Sequence, residues 1–228
     1  MQDIYNQQNA TNAGVSSTET SKVLRNTYTL LAMTLLFSAI TAGISMAIGM
    51  PFGASIVCSI GALALIWLVL PKTANSAKGI LVVFAFTGLL GAGLGPVLNH
   101  YVANGSGSIV VQALGGTALV FFALSGYVLT TRKDFSFMGG FLMTGLIVAL
   151  VGMLAMFVAG MFGVNISGIS LAFSGLIVLL MSGFILYDTS RIVNGGETNY
   201  IMATTSLYLN IYNLFTSLLH ILGVMGDE

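Results

Sequence analysis

Seven apolar runs, at positions 28–48, 52–70, 79–98, 109–131, 137–162, 168–189 and 200–222, take up most of this chain. Each is about 20 residues long, and at about 1.5 Å per residue that length matches the roughly 30 Å hydrocarbon core of a bilayer. In lipid, backbone polar groups must pair within a helix or around a closed barrel. The runs are continuous and lack the alternation of barrel strands. The expected fold is therefore all-α: a polytopic membrane protein built as one seven-transmembrane-helix bundle. Only 6% of residues are charged and 56% are hydrophobic, far from the roughly 25% charged of a soluble domain. The bundle is expected over residues 27–223, between a cytosolic tail at 1–26 and a short external tail at 224–228.

The basic residues orient the bundle. Lys22 and Arg25 precede the first run, Lys72 and Lys78 lie between the second and third, and Arg132 and Lys133 lie between the fourth and fifth. Arg191 follows the sixth, and the intervening gaps hold no Lys or Arg. Basic residues in short loops mark the cytosolic side, so the N-terminus is expected inside and the C-terminus outside. The tail is rich in Gln, Asn, Ser and Thr, with too little apolar surface to fold alone, and is expected to be disordered. A cleaved signal peptide is not expected, because the first run is longer than a signal h-region. Net charge is zero and no basic patch points to nucleic acid. Cys58 is the single cysteine, which leaves no disulfide framework and no thiol metal site; neither metal nor cofactor is expected.

Two patterns inside the spans stand out. Gly88, Gly91, Gly93 and Gly95 crowd the third run, with further glycines in the fourth and fifth; small residues let helix backbones approach closely in lipid. Pro96 is expected to loosen the third helix near its outer end. In the seventh run Ser206, Asn210, Asn213, Ser217 and His220 recur at spacings of 4, 3, 4 and 3. At about 100° per residue they fall within roughly a quarter of the helix circumference. Such a stripe is costly against lipid, which places this helix at the centre. It serves either helix–helix hydrogen bonding or a polar path.

Asp188 is the one carboxylate inside a run, three residues before Arg191. Intramembrane acids are candidates for function, while the i, i+3 spacing equally suits a structural ion pair. Several enzyme classes fit poorly. An aspartyl protease needs two membrane carboxylates, and Asp188 is alone at depth. A serine protease needs a histidine beside its serine; Ser125, in Ala123-Leu124-Ser125-Gly126, is expected near the opposite face from His220. His100 and His220 form no His-Glu-x-x-His motif, and no span holds a lysine for a retinal Schiff base. A non-enzymatic role is expected.

The stretch GGTALVFFALSGYVLTTRKDFSFMGG at 115–140, the pair Tyr187-Asp188 and SLYLNIYNLF at 206–215 resemble the Bax inhibitor-1 superfamily. The resemblance extends over residues 22–223. VLRNTY at 23–28, KTAN at 72–75, AFTG at 85–88 and GGETNYI at 195–201 are similar to its bacterial YccA-type branch. That likeness implies an inner-membrane protein that binds and modulates FtsH, a membrane-anchored ATP-dependent protease, together with its HflK/HflC scaffold, engaged through the cytosolic tail. Other members of the superfamily leak calcium through a pH-sensitive latch of two aspartates on the sixth and seventh helices. By resemblance Asp188 matches the first aspartate, and Asn210 stands in place of the second. His220 stands where many relatives carry arginine. An amide does not exchange a proton near neutral pH, so the resemblance favours the protease modulator over a calcium or cation leak.

Overall fold

The computed structural model describes residues 2–164 and 166–226, with side chains from Thr18 onward except at Ser167. Among these residues, seven helices are long and apolar enough to cross a membrane. They are α1 (Gln2–Ala47), α2 (Phe52–Thr73), α3 (Ala77–Ala103), α4 (Gly107–Thr131), α5 (Gly139–Met161), α6 (Ser167–Val193) and α7 (Tyr200–Gly226). All seven expected runs lie on them to within two residues at either end. The helices reach past the runs where polar residues continue the same backbone pattern: the apolar segment of α1 begins at Thr18, and α7 runs on to Gly226. Of the two expected tails, the side chains of residues 1–17 and the terminal Asp227 and Glu228 lie outside the described residues.

The seventh helix is the axis. It contacts α1, α3, α4 and α6, while α2 packs outside on α3 and α5 packs outside on α6. Half of the most apolar window of α3 and of α7 is buried, against 11% for α5. This ordering follows from composition. A helix with a polar stripe, or with glycines clustered on one stretch as in α3, gains from contact inside the bundle, whereas α5, with Thr144 as its single hydroxyl residue and its glycines spread along its length, is equally well solvated by lipid.

The glycines of α3 set the closest approach. A side-chain carbon on Gly91 would collide with the Ser38 carbonyl and the Thr41 hydroxyl, and one on Gly95 with Ser45. Gly88 lies beneath the Phe37 ring, so three glycines at spacings of 3 and 4 form one groove that receives α1. At the bottom of it the Ser45 hydroxyl donates to the Ala92 carbonyl at 2.7 Å. Gly93 points the other way, toward Ser55 and Cys58 of α2. The helix continues through Pro96 to Ala103. One feature was not foreseen: α2 widens into a π-helical turn at Leu65–Val69, directly before Leu70–Thr73 with Pro71 in its first turn. The ring of Pro71 has no N–H to offer the preceding turn, and the extra residue of a π turn accommodates it.

Candidate functional site in the seventh helix

The polar stripe of α7 faces α6. Its centre is the Asn210 amide, which donates to the Asp188 carboxylate at 2.7 Å. Ten residues on, toward the other end of the helix, His220 Nδ1 meets the Ser174 hydroxyl at 3.0 Å. Ser174 and Asp188 are fourteen residues apart on α6, four turns that return to the same face, so the two helices are clasped at both ends of one seam. Asn213 turns its amide back to the Leu209 carbonyl of its own helix. Ser217 is buried and Ser206 half-buried on the same stripe. Interhelical hydrogen bonds in lipid contribute about 0.5–2 kcal/mol each.

Of the two readings of Asp188, the ion pair with Arg191 is not the one formed. The Arg191 guanidinium does not pair with Asp188; it bridges to Glu197 at 3.3 Å and donates to the Gly196 carbonyl at 3.1 Å, with the Tyr187 ring 5.7 Å away. The physical reason is the turn after α6. Gly195 takes φ 75°, a left-handed conformation suited to glycine, and this folds Glu197 back beside Arg191. Among the described residues no cation lies within ion-pair distance of Asp188. Asp188 is thus a partly buried acid whose hydrogen-bonding partner on α7 is a neutral amide.

The opposite face of α7 binds α1 and α3 through residues that sequence reasoning did not single out. Tyr208 is fully buried; its hydroxyl lies 2.7 Å from Ser38 Oγ and donates to the Thr87 carbonyl at 3.3 Å. Its ring meets Phe86 edge-on and stacks with Tyr212. One turn nearer the N-terminus, the Thr204 hydroxyl reaches the Thr27 carbonyl of α1 at 3.2 Å. Ser38 is one of several hydroxyl residues in the α1 segment, with Thr34, Thr41 and Ser45, so nothing singled it out, and its partner lies 170 residues away.

The basic loops are tied together on their own side of the bundle. Asn199 caps α7: its side-chain oxygen accepts from the backbone N–H groups of Ile201 and Met202 at 2.9 and 3.2 Å. Its amide nitrogen donates to the Ala74 carbonyl and to Asn75 Oδ1 at 3.0 and 2.8 Å, joining the α6–α7 turn to the α2–α3 turn. Ser190 of α6 accepts from the Phe135 backbone N–H at 2.9 Å, and its hydroxyl lies 3.3 Å from the Lys133 carbonyl and 3.5 Å from Asp134. Asp134 also accepts from the Ser136 N–H at 2.8 Å. Ser136, through side chain and backbone, holds the Asp134 carboxyl below the usual carboxylate range. Lys133 lies over the Tyr127 ring at 5.6 Å, and hydrogen bonding to Tyr127 raises its pKa. The Arg-Lys-Asp-Phe-Ser sequence is thus a turn moulded onto α6. Arg132 supplies the left-handed end of α4 at φ 51°.

The site does not join Ser125 to His220: the Ser125 hydroxyl pairs with Thr189 at 3.2 Å. Among the described residues no group of three His, Cys, Asp or Glu side chains is placed to hold a metal.

Comparison with known proteins agrees with this architecture. Residues 20–227 match the family described as inhibitor of apoptosis-promoting Bax1. A protein of Escherichia coli K12 named modulator of FtsH protease YccA is 53% identical over 209 residues, covering 92% of this chain and 93% of its own. Its counterpart in Escherichia coli O6:H1, at the same identity and coverage, is named inner membrane protein YccA. An uncharacterized membrane protein of Vibrio cholerae is 52% identical over 211 residues, 92% of each chain. This match spans every helix of the bundle and both clasps of the α6–α7 seam, and the chain belongs to the Bax inhibitor-1 family.

Proposed function

We propose that this protein is a bacterial inner-membrane modulator of FtsH, acting by inhibition or by competition as a poor substrate, with HflK/HflC as further partners. The observation that carries the reading is the 53% identity, over nearly the whole of both chains, to a protein named for that activity. The basic loops at Lys72, Lys78, Arg132, Lys133 and Arg191 support a cytosolic N-terminus and an external C-terminus. In that orientation the polar residues 1–17 stand on the side where a cytosolic ATP-driven protease works. Thr20 packs against Gly195 in the α6–α7 turn, so the handle for the protease lies before it.

Affinity-tagged protein purified from native membranes is expected to bring FtsH with it, and removal of residues 2–17 is expected to weaken that recovery while leaving the bundle folded. A C-terminal alkaline phosphatase fusion is expected to be active. Recovery of FtsH equal with and without those residues would contradict the handle; an inactive phosphatase fusion would contradict the orientation.

The alternative is a cation leak. One observation favours it: Asp188 faces the centre of the bundle without a cationic partner among the described residues, a place where a proton or a metal cation would be stabilised. Its amide partner weighs against pH gating, because only one of the two groups can titrate.

A further inference from the structure

α1 and α4 both pack on α7 and make no close backbone contact with each other; the Tyr28 and Phe121 rings meet across the gap, 6.1 Å apart. A groove of about 520 Å3 remains between them, walled by residues such as Leu35 and Gly43 on α1 and Leu114 and Ala118 on α4, and floored by Ile211 and Phe215 of α7. The α1 wall runs from Tyr28 to Met46, roughly 27 Å at the rise of a helix, nearly the depth of the hydrocarbon core. Spread over that length, the groove has a section on the order of 20 Å2, which a single chain of methylenes fills when carbons pack about 4 Å apart. A transmembrane helix, about 10 Å across, has a section of roughly 80 Å2, about four times larger than the groove provides.

The basic end of the groove carries charge. Arg25 lies three residues before Tyr28 and seven before Ala32, both of which line the groove, so helical periodicity sets it on the same face. It is exposed, and no carboxylate lies within ion-pair distance of it among the described residues. A guanidinium in this position matches a phosphodiester in geometry and charge.

We propose that the α1–α4 groove is a binding site for one acyl chain of an anionic phospholipid, whose phosphate is held by Arg25. Gly43 provides a clean test, because a side chain added there meets no protein atom within 4 Å and extends into the groove. Gly115 of α4 is equally open but does not line the groove.

The full-length protein is exchanged into vesicles of equal phosphatidylglycerol and phosphatidylethanolamine, extracted in mild detergent, and examined by native mass spectrometry. The wild type and Gly115→Leu are expected to retain one phospholipid, enriched severalfold in phosphatidylglycerol. Gly43→Leu is expected to lose it, with a melting temperature showing that the bundle is folded. Arg25→Gln is expected to retain lipid without the enrichment. Absence of retained lipid on the wild type, or equal retention by Gly43→Leu, would overturn the proposal. So would loss of FtsH recovery by Gly43→Leu with lipid retention intact, which would make the groove a protein interface.

Discussion

At Gly91 the α1 backbone lies so near that one added carbon collides with Ser38 and Thr41. Lipid cannot relieve that clash, since the contact is between two helix backbones. Gly91→Ala should therefore destabilise the bundle by about 1–3 kcal/mol, the usual cost of overpacking. Gly115→Ala, with open space around it, should be neutral or slightly stabilising. Thermal unfolding in detergent distinguishes the two, and equal melting temperatures would remove the glycine groove from the account. Asp188 and Asn210 make a second residue-scale test. The amide donates to the carboxylate at 2.7 Å and keeps the seam closed without exchanging a proton. Asn210→Asp would place two carboxylates there, and such a pair repels unless it shares a proton. Calcium flux into liposomes should vary little in the wild type between about pH 6 and pH 8 and become pH-dependent in Asn210→Asp if the fold conducts. Strong pH-gated flux in the wild type would transfer the function to the leak reading.

Among the elements, the α4–α5 turn depends on one hydroxyl. Ser190→Ala would remove the acceptor of the Phe135 N–H and should cost about 1–3 kcal/mol, seen as faster hydrogen exchange at that amide. Asp134, whose pKa is depressed by Ser136, should add to the turn's stability above the unfolded value of 3.8. That contribution is lost as pH falls through the lower folded value, so protection at Phe135 should decline only in acid. An unchanged exchange rate in Ser190→Ala would contradict the clasp. Much of this architecture was legible in the sequence. Long apolar runs identify spans through hydropathy alone, and the spacing of Asn210 and His220 placed α7 inside. The π turn in α2 was not legible, because one extra residue in an apolar helix leaves no periodic signature. The partner of Arg191 was left open between two readings, because spacing along a helix says nothing of a glycine turn that returns Glu197 to it. Ser190 and Tyr208 were passed over because their partners are distant in sequence and ordinary in type.

For the whole molecule, the helix order places the polar, least lipid-compatible helix on the axis and the most aliphatic one on the rim, with the basic loops gathered at one end. Such a bundle presents lipid-facing surface on most sides, and α1 opens with a polar first part at 2–17; the proposed meeting with a membrane-anchored protease draws on both. The direct measurement is reconstitution of purified FtsH in proteoliposomes with a second membrane protein that it degrades, with and without equimolar amounts of this protein. The account predicts severalfold slower degradation of that substrate when the full-length protein is present, and recovery toward the uninhibited rate when residues 2–17 are removed. An unchanged rate with the full-length protein, together with no recovery of FtsH on it, would contradict the account.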